Sequence, residues 1–200
     1  SGSTIGGGIT EKNFLGKGIN LKTNIEISEE KVKGQFVYSK PNFNYSENTL
    51  FTSFKSSNTD RVKDFGYETT DLGFSIGTKF EQYENLFFSP EIDLSIEDLK
   101  TTADASSNLK KQAGNYEDLY FNYGLDYDLR NSSYKPSSGS KSSFYQRLPV
   151  VSGNNEITNT LVLTKYKKLD KSTDMVGKAS IYIRAVNSID DSDVRISKRA

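Results

Sequence analysis

The residue types best suited to chemistry in this chain are carboxylates, and two of them stand close together. Asp126 and Asp128 are two positions apart, and Arg130 follows at the same spacing. Paired carboxylates can serve as a general acid and a general base. No nucleophile motif or partner base accompanies them here, and the whole sequence lacks histidine and cysteine. We therefore interpret the three residues as the solvated face of a strand, and we predict no catalytic residue and no enzymatic activity.

Two other patterns could bind ions or phosphate, and both are incomplete. The acidic run Asp190-Asp191-Ser192-Asp193 lacks the glycine and the distal glutamate of an EF-hand calcium loop. Gly177-Lys178 lacks the upstream glycine and the following Ser or Thr of a phosphate-binding loop. Because histidine and cysteine are absent, the common imidazole and thiolate ligands of metal sites are missing as well. The sequence predicts no metal site and no cofactor.

The composition limits the partners of the chain and the ways in which it could enter a membrane. The 26 Lys and Arg residues balance 26 Asp and Glu residues, which argues against nucleic acid as a partner. Apolar residues make up only 34% of the chain, few for a soluble core, although Tyr and Phe contribute 12 residues each. No stretch approaches the roughly 18 consecutive apolar residues of a membrane-spanning helix. If the protein enters a membrane, it must do so as strands.

The elements that would position these residues are strands, because apolar and polar residues alternate with a period of two. The alternation is clearest in residues 119–130, where every odd position is Leu, Phe or Tyr. Turn-rich stretches, such as 56–64 and 131–140, separate runs of this kind. Residues 101–114 could form a short surface helix or be disordered, and the pattern leaves both open. The predicted strands, about ten, are residues 3–10, 18–28, 31–40, 49–57, 66–80, 85–98, 116–130, 141–151, 156–168 and 175–187.

Alternation alone fits both a membrane barrel and a soluble β-sandwich, and three details favour the membrane. Charges recur on the polar face deep inside the strands, as a water-filled lumen permits. The apolar face continues along strands that are longer than is usual in sandwiches. Aromatic residues concentrate near the predicted strand ends, as the interfacial girdles of a barrel require. These aromatic residues are Phe14, Phe43, Tyr45, Phe80, Tyr83 and Tyr134.

Several short motifs, in order, resemble the BamA family, whose members are central subunits of the outer-membrane barrel assembly machinery. In that family a glycine-bearing first strand leads into a loop of the type Asn-Phe-Leu-Gly-x-Gly. Residues 40–43 are similar to the family's x-Pro-x-Phe strand ending, and residues 120–124 and 134–140 to its seventh strand and the Pro-x-x-Gly loop after it. The residues that match the first loop position for position are Asn13, Phe14, Leu15, Gly16 and Gly18.

The resemblance spans essentially all 200 residues and implies an all-β fold. We expect residues 1–200 to be the N-terminal portion of an antiparallel transmembrane β-barrel, with about ten meandering strands of a larger barrel. Nothing resembles the POTRA domains that precede the family's barrel, and the chain stops before the family's Arg-Gly-Phe motif. A piece of a longer protein is therefore expected, with two unpaired sheet edges. The implied location is the bacterial outer membrane.

The resemblance also implies a role for the glycine-rich first strand. Glycine weakens a strand because it loses more entropy on ordering and offers no side chain to pack. Such a strand would pair weakly at the barrel seam and could open as a lateral gate, where unpaired backbone groups template an incoming strand. A flexible lead-in is the alternative, since Ser1-Gly2-Ser3 has the composition of a linker. The predicted gate residues are Ser3, Thr4, Ile5, Gly6, Gly7, Gly8, Ile9 and Thr10.

The predicted function is accordingly the assembly and insertion of outer-membrane proteins. The implied partners are the outer-membrane bilayer, unfolded β-barrel proteins and accessory lipoproteins. Three alternatives remain open: a related two-partner secretion transporter, a passive porin and a soluble β-sandwich binding module. The number of POTRA domains separates the transporter from the assembly protein. Ion conductance without an effect on barrel assembly would indicate a porin, and folding without detergent would indicate the soluble module.

Overall fold

One antiparallel sheet makes up most of the structure, a computed structural model that describes residues 3–153, 155–170, 174–190 and 194–198. In these residues ten strands occur in chain order, and each pairs with the next. The meandering all-β architecture predicted from the sequence is confirmed. The strands are β1 (Thr4–Phe14), β2 (Ile19–Ser28), β3 (Lys31–Lys40), β4 (Thr49–Arg61), β5 (Tyr67–Tyr83), β6 (Leu86–Thr101), β7 (Gly114–Asp128), β8 (Gly139–Val151), β9 (Glu156–Lys168) and β10 (Val176–Ser188).

Strand β1 differs from its predicted bounds at both ends. It begins after Ser3, so the first predicted gate residue lies outside the strand. It also continues past residue 10, because Phe14 still pairs with Ile19 of β2 across a bulge that begins at Glu11. Two residues of the predicted loop motif, Asn13 and Phe14, therefore belong to the strand.

Two further predictions about the strands are wrong. The turn predicted over residues 56–64 begins later, because β4 continues to Arg61 and pairs there with β5. This part of β4 has the polar composition that is typical of a turn, although its backbone is fully paired. Arg130 does not share a strand face with Asp126 and Asp128, because β7 ends at Asp128. Its guanidinium instead folds back on Asp128 from the following loop, through hydrogen bonds of 2.8 and 2.6 Å.

The helices in the described residues are short. Helix α1 spans Val62–Phe65 and helix α2 spans Ser107–Lys111, and single 3₁₀ turns occur at Phe43–Tyr45 and Ile196–Lys198. Helix α2 decides between the two alternatives for residues 101–114 in favour of a short helix. Its N-cap is Ser106, whose hydroxyl accepts a hydrogen bond from the backbone N–H of Leu109 at 3.3 Å. No helix in the described ranges is long and apolar enough to cross a membrane.

The sheet buries its polar side chains and exposes its apolar ones, which is the reverse of a soluble protein. Large apolar side chains such as Phe54, Phe74 and Leu94 are about half exposed on the outer face. Polar side chains pack against one another on the inner face, as where Ser53 and Ser75 share a hydrogen bond of 2.7 Å. The buried polar and charged residues are Ser53, Thr69, Ser75, Asp93, Ser95, Glu97, Asp118, Asp126, Ser143, Glu156 and Arg195. A polar interior with an apolar exterior is the arrangement of a barrel wall in lipid.

The sheet is curled rather than flat. The Lys12 ammonium group of β1 lies 4.9 Å from the centre of the Tyr134 ring, which belongs to the loop between β7 and β8. Five strands separate β1 from β7 in the sheet, so this contact requires the sheet to bend around its polar face. The inner face is thus the concave wall of a partial barrel.

The predicted aromatic residues gather at one edge of this wall. Because neighbouring strands are antiparallel, β1 ends where β2 begins, and we call this edge the Phe14 end and the opposite edge the Thr4 end. All six aromatic residues lie at or near the Phe14 end, in strand ends or the connections between them. They are Phe14 in β1, Phe43 and Tyr45 between β3 and β4, Phe80 and Tyr83 in β5, and Tyr134 between β7 and β8.

Candidate functional site

The first candidate site is the free edge of β1. Only one side of this strand is paired in the described residues, through a ladder with β2 from Thr4 to Phe14. Every residue of β1 is exposed, and Ile5 and Ile9 on its outer face are 78% and 77% exposed. An edge of this kind presents unpaired backbone N–H and C=O groups, which are costly in a bilayer unless another strand pairs with them. Seven of the eight predicted gate residues, Thr4 to Thr10, lie on this edge.

The three glycines of β1 have different surroundings. A Cβ atom added at Gly8 would collide with Oδ1 of Asn24 and would lie 2.8 Å from the carbonyl oxygen of Thr23. At Gly8, glycine therefore permits the close approach of β2. A Cβ atom at Gly7 would contact nothing within 4 Å, and one at Gly6 would just touch the carbonyl oxygen of Ile25 at 3.4 Å. Gly7 is accordingly a position where packing imposes no need for glycine.

The predicted motif loop forms the tight connection from β1 to β2. The side chain of Asn13 organises it, since its Oδ1 accepts a hydrogen bond of 2.7 Å from the backbone N–H of Gly18. The backbone N–H of Gly16 donates to the carbonyl of Asn13 at 2.9 Å. Gly16 and Gly18 have φ angles of 69° and 67°, a left-handed conformation that glycine adopts without strain. The motif thus fixes how β2 follows β1, as a turn and not as a reactive site.

The second candidate site is a buried ion cluster on the inner wall that sequence reasoning missed. Arg195 is 0% exposed and hydrogen-bonds to Asp118 of β7. Its guanidinium also lies 3.5 Å from the Glu97 carboxylate of β6 and 4.0 Å from the Glu156 carboxylate of β9. Lys198 forms a further ion pair of 2.9 Å with Glu97. Residues 194–198 are thereby fixed to three strands of the wall near its Thr4 end.

Two further contacts hold Arg195 and Ile196 in place beside this ion cluster. The Arg195 guanidinium stacks 4.0 Å above the centre of the Tyr116 ring, and the backbone N–H of Ile196 donates to Oε1 of Gln112 at 2.9 Å. Burial lowers the pKa of Arg195, but the hydrogen bond to Asp118 and the charge of Glu97 outweigh it, so the net direction is upward. The arginine is thus a permanent cation. The sequence feature that could have indicated this cluster is the set of isolated acids on the polar faces of β6, β7 and β9. Such acids require a cation nearby when they are buried.

The carboxylates singled out for chemistry are held in structural ion pairs. Asp126 accepts hydrogen bonds from Lys79 at 2.7 Å and Ser143 at 2.5 Å, and Lys141 lies 3.2 Å away. Asp128 is held by Arg130. Each acid is therefore saturated by neighbours, which suits a wall-stiffening role and not proton transfer. The described residues contain no cluster of acids that could hold a metal, and the acidic run 190–193 lies largely outside them.

A curled antiparallel sheet with charges buried inside and apolar side chains outside defines a β-barrel of the bacterial outer-membrane type. Residues 13–199 match the Omp85 superfamily domain, and the chain therefore belongs to the Omp85 superfamily. Membership places the protein in the bacterial outer membrane.

Comparison with solved structures supports the same fold. The structure of BamA from Haemophilus ducreyi lacking POTRA domains 1–3 matches 98% of this chain, with a TM-score of 0.74 and 20% sequence identity. The predicted BamA-like barrel region is thereby confirmed at the level of the fold. The chain spans 41% of the length of that BamA chain. No curated protein matches the sequence.

Proposed function

We propose that this protein assembles and inserts β-barrel proteins in the outer membrane, with residues 1–200 as the N-terminal part of its barrel domain. The observation that carries the proposal is the free backbone edge of β1, which borders a sheet with an apolar outer face. Membership of the Omp85 superfamily supports assembly or transport, and the BamA-like fold favours assembly. The proposed partners are the bilayer, unfolded barrel proteins and accessory lipoproteins.

The proposed mechanism is backbone templating at a lateral gate. An incoming strand that pairs with β1 would satisfy N–H and C=O groups that each cost several kcal/mol when left unpaired in lipid. Release must follow, and a strand with three successive glycines favours it because few side-chain contacts reinforce the pairing. No covalent step is involved, so no catalytic residue or cofactor is required.

The gate proposal rests on edge geometry and glycine content more than on the family match. The matched region begins at Asn13, so residues 3–10 precede it. In a longer chain, a strand preceding Ser1 or a closing strand following Ala200 is the competing occupant of the β1 edge. The decisive experiment must therefore distinguish an incoming client strand from a strand of the same protein.

Cysteine crosslinking in the full-length protein makes this distinction. Single cysteines at Ile5, Gly7 and Ile9 would be tested against folding intermediates of a client barrel that carries cysteines along its terminal strand. The proposal predicts crosslinks to the client, in a register that shifts by one client residue per residue of β1. A matched control at Gly34 in β3, a strand paired on both sides, should give none.

Two outcomes would contradict the gate. Crosslinks from Ile5 and Ile9 to an upstream strand of the same chain, with none to clients, would make β1 an internal strand. Client assembly that continues unchanged when the protein is depleted, together with secretion of a dedicated passenger or simple ion conductance, would indicate the transporter or the porin.

A further inference from the structure

The odd-numbered residues of β9 lie on the outer face of the wall. Phe88, which shares the outer face of β6 with Leu94, begins a row of direct cross-strand neighbours. The row continues through Leu125 and Phe144 to Leu161 of β9. Directly paired residues of antiparallel strands project to the same face, and so do alternate residues of one strand. Leu161 and every second residue after it in β9 therefore face outward.

The outer face of β9 changes from apolar to basic at the Phe14 end. Leu163 is the last apolar residue of the strand on this face, and the next two residues on it are Lys165 and Lys167. Both lysines are exposed. The apolar surface ends at the same level on β10, because Ile181 pairs with Leu163 and the small Ala179 pairs with Lys165. Two neighbouring cations therefore border the lipid-facing surface.

The described carboxylates do not neutralise these two lysines. On the inner face of the same hairpin, Lys168 forms an ion pair of 3.4 Å with Asp174. Lys165 and Lys167 form no ion pair with any described residue. Ser140 of β8 pairs with Lys165 and projects to the same face, and its hydroxyl has no hydrogen-bond partner in the described ranges either. Two ammonium groups and one hydroxyl thus point outward as donors without an acceptor.

These donors lie at the level of the lipid headgroups. The apolar band of a barrel ends where the headgroups begin, and long lysine side chains near the ends of membrane-spanning segments reach that layer. The opposite border of the outer face has the opposite charge, since Ile96 of β6 is followed there by Asp98 and pairs with Glu117 of β7. The basic border on β9 is therefore a local feature and not a property of the whole rim.

We propose that Lys165, Lys167 and Ser140 bind the phosphate of an anionic phospholipid headgroup, with the acyl chains against Leu163 and Ile181. The two lysines are about 7 Å apart along the strand and have flexible four-carbon stems, so both can reach one phosphate. The Ser140 hydroxyl supplies a neutral donor. Lipid is the occupant because the outer face of an Omp85 barrel lies against the outer membrane. A headgroup without an amine to offset the phosphate, such as phosphatidylglycerol, should be preferred over phosphatidylcholine.

Fluorescence quenching by brominated lipids tests this site in the full-length protein in vesicles. The 200 residues contain no tryptophan, so Ala179→Trp places a reporter beside Lys165, and the signal of the protein without it is subtracted. Brominated phosphatidylglycerol should bind there about fivefold more strongly than brominated phosphatidylcholine, the factor expected from one lysine near an anionic surface. Lys165→Gln together with Lys167→Gln should abolish this preference.

Two controls separate a site from general charge attraction. Lys31→Gln together with Lys33→Gln removes two exposed lysines of the same spacing from the inner face of β3, and should leave the preference unchanged. Ile96→Trp reports on the acidic border and should show no preference for phosphatidylglycerol. Heat-modifiable migration checks that each variant barrel folds.

Equal quenching of the Ala179→Trp reporter by the two lipids would overturn the proposal. A preference that survives the loss of both β9 lysines would do the same, as would one that falls equally in the β3 control. Crosslinks from Lys165 to another membrane protein in native membranes, without a lipid preference in vesicles, would assign the lysines to that protein.

Discussion

The guanidinium of Arg195 hydrogen-bonds to the carboxylate of Asp118, 77 residues earlier in the chain, and both side chains are fully buried. This ion pair connects the segment after the last described strand to β7, near the Thr4 end of the barrel wall. Glu97 and Glu156 complete the surroundings of the arginine, so three acids depend on one deeply buried cation and on Lys198. The contact makes residues 194–198 a structural part of the wall.

Removal of the Arg195 charge should destabilise the barrel. In Arg195→Met the three carboxylates keep their burial and lose their main counter-charge, and breaking a buried ion pair of this kind costs about 3–5 kcal/mol. Urea unfolding of the full-length protein in vesicles, followed by heat-modifiable migration, measures the loss. Lys111→Met, an exposed residue of α2, should leave the midpoint unchanged. A stability equal to wild type in Arg195→Met would refute the anchoring role of the ion cluster.

Stiffening of β1 at Gly7 should slow client assembly without harming the fold. A Cβ atom added at this position meets nothing within 4 Å, and β-branched residues strengthen strand pairing. Client release from the β1 edge should therefore become slower, as measured by the rate at which a client barrel folds into vesicles that contain the variant. Gly34→Val in β3, where an added Cβ atom also meets nothing within 4 Å, is the matched control. Identical rates for both variants and wild type would argue against a weak seam at β1.

Charge on the outer face should be far less tolerated than charge on the inner face. Phe121 and Asn122 are adjacent in β7 and project to opposite faces, with Asn122 opposite Glu91 and beside a cavity of about 430 Å³. Phe121→Lys should destabilise the barrel by about 2–4 kcal/mol if the residue lies near the bilayer midplane. Asn122→Lys should change stability little, because the carboxylates of Glu91 and Asp93 line the same cavity and would offset the added charge. Comparable urea midpoints for the two variants would contradict the assignment of faces.

Most strands were predictable because a period of two persists along them, as in residues 119–128 of β7. The errors have a common cause: polar residues mark both turns and lumen-facing strands. The polar stretch of β4 up to Arg61 therefore imitated a turn. Glycines at left-handed positions, such as Gly16 and Gly18, correctly marked the β1–β2 connection.

The candidate sites were less accessible to sequence reasoning. The proposed gate residues form a contiguous segment, which the family resemblance and the run of glycines singled out together, although Ser3 lies outside the strand. The Arg195 cluster unites residues from β6, β7, β9 and a later segment, and only the curl of the sheet brings them together.

The most direct test of the account is the environment of alternate side chains along β7. The 200 residues contain no cysteine. Single cysteines introduced at residues 119–127 can therefore carry a spin label in the full-length protein, once any other cysteines have been replaced. Accessibility to oxygen, which concentrates in the bilayer, and to a water-soluble nickel complex would be measured in vesicles. The account predicts oxygen-accessible labels at Leu119, Phe121, Tyr123 and Leu125. It predicts nickel-accessible labels at the intervening residues that line the inner cavity, which are Asn122, Gly124 and Asp126. Uniform accessibility to nickel along the strand, or the reverse alternation, would contradict a lipid-facing barrel wall.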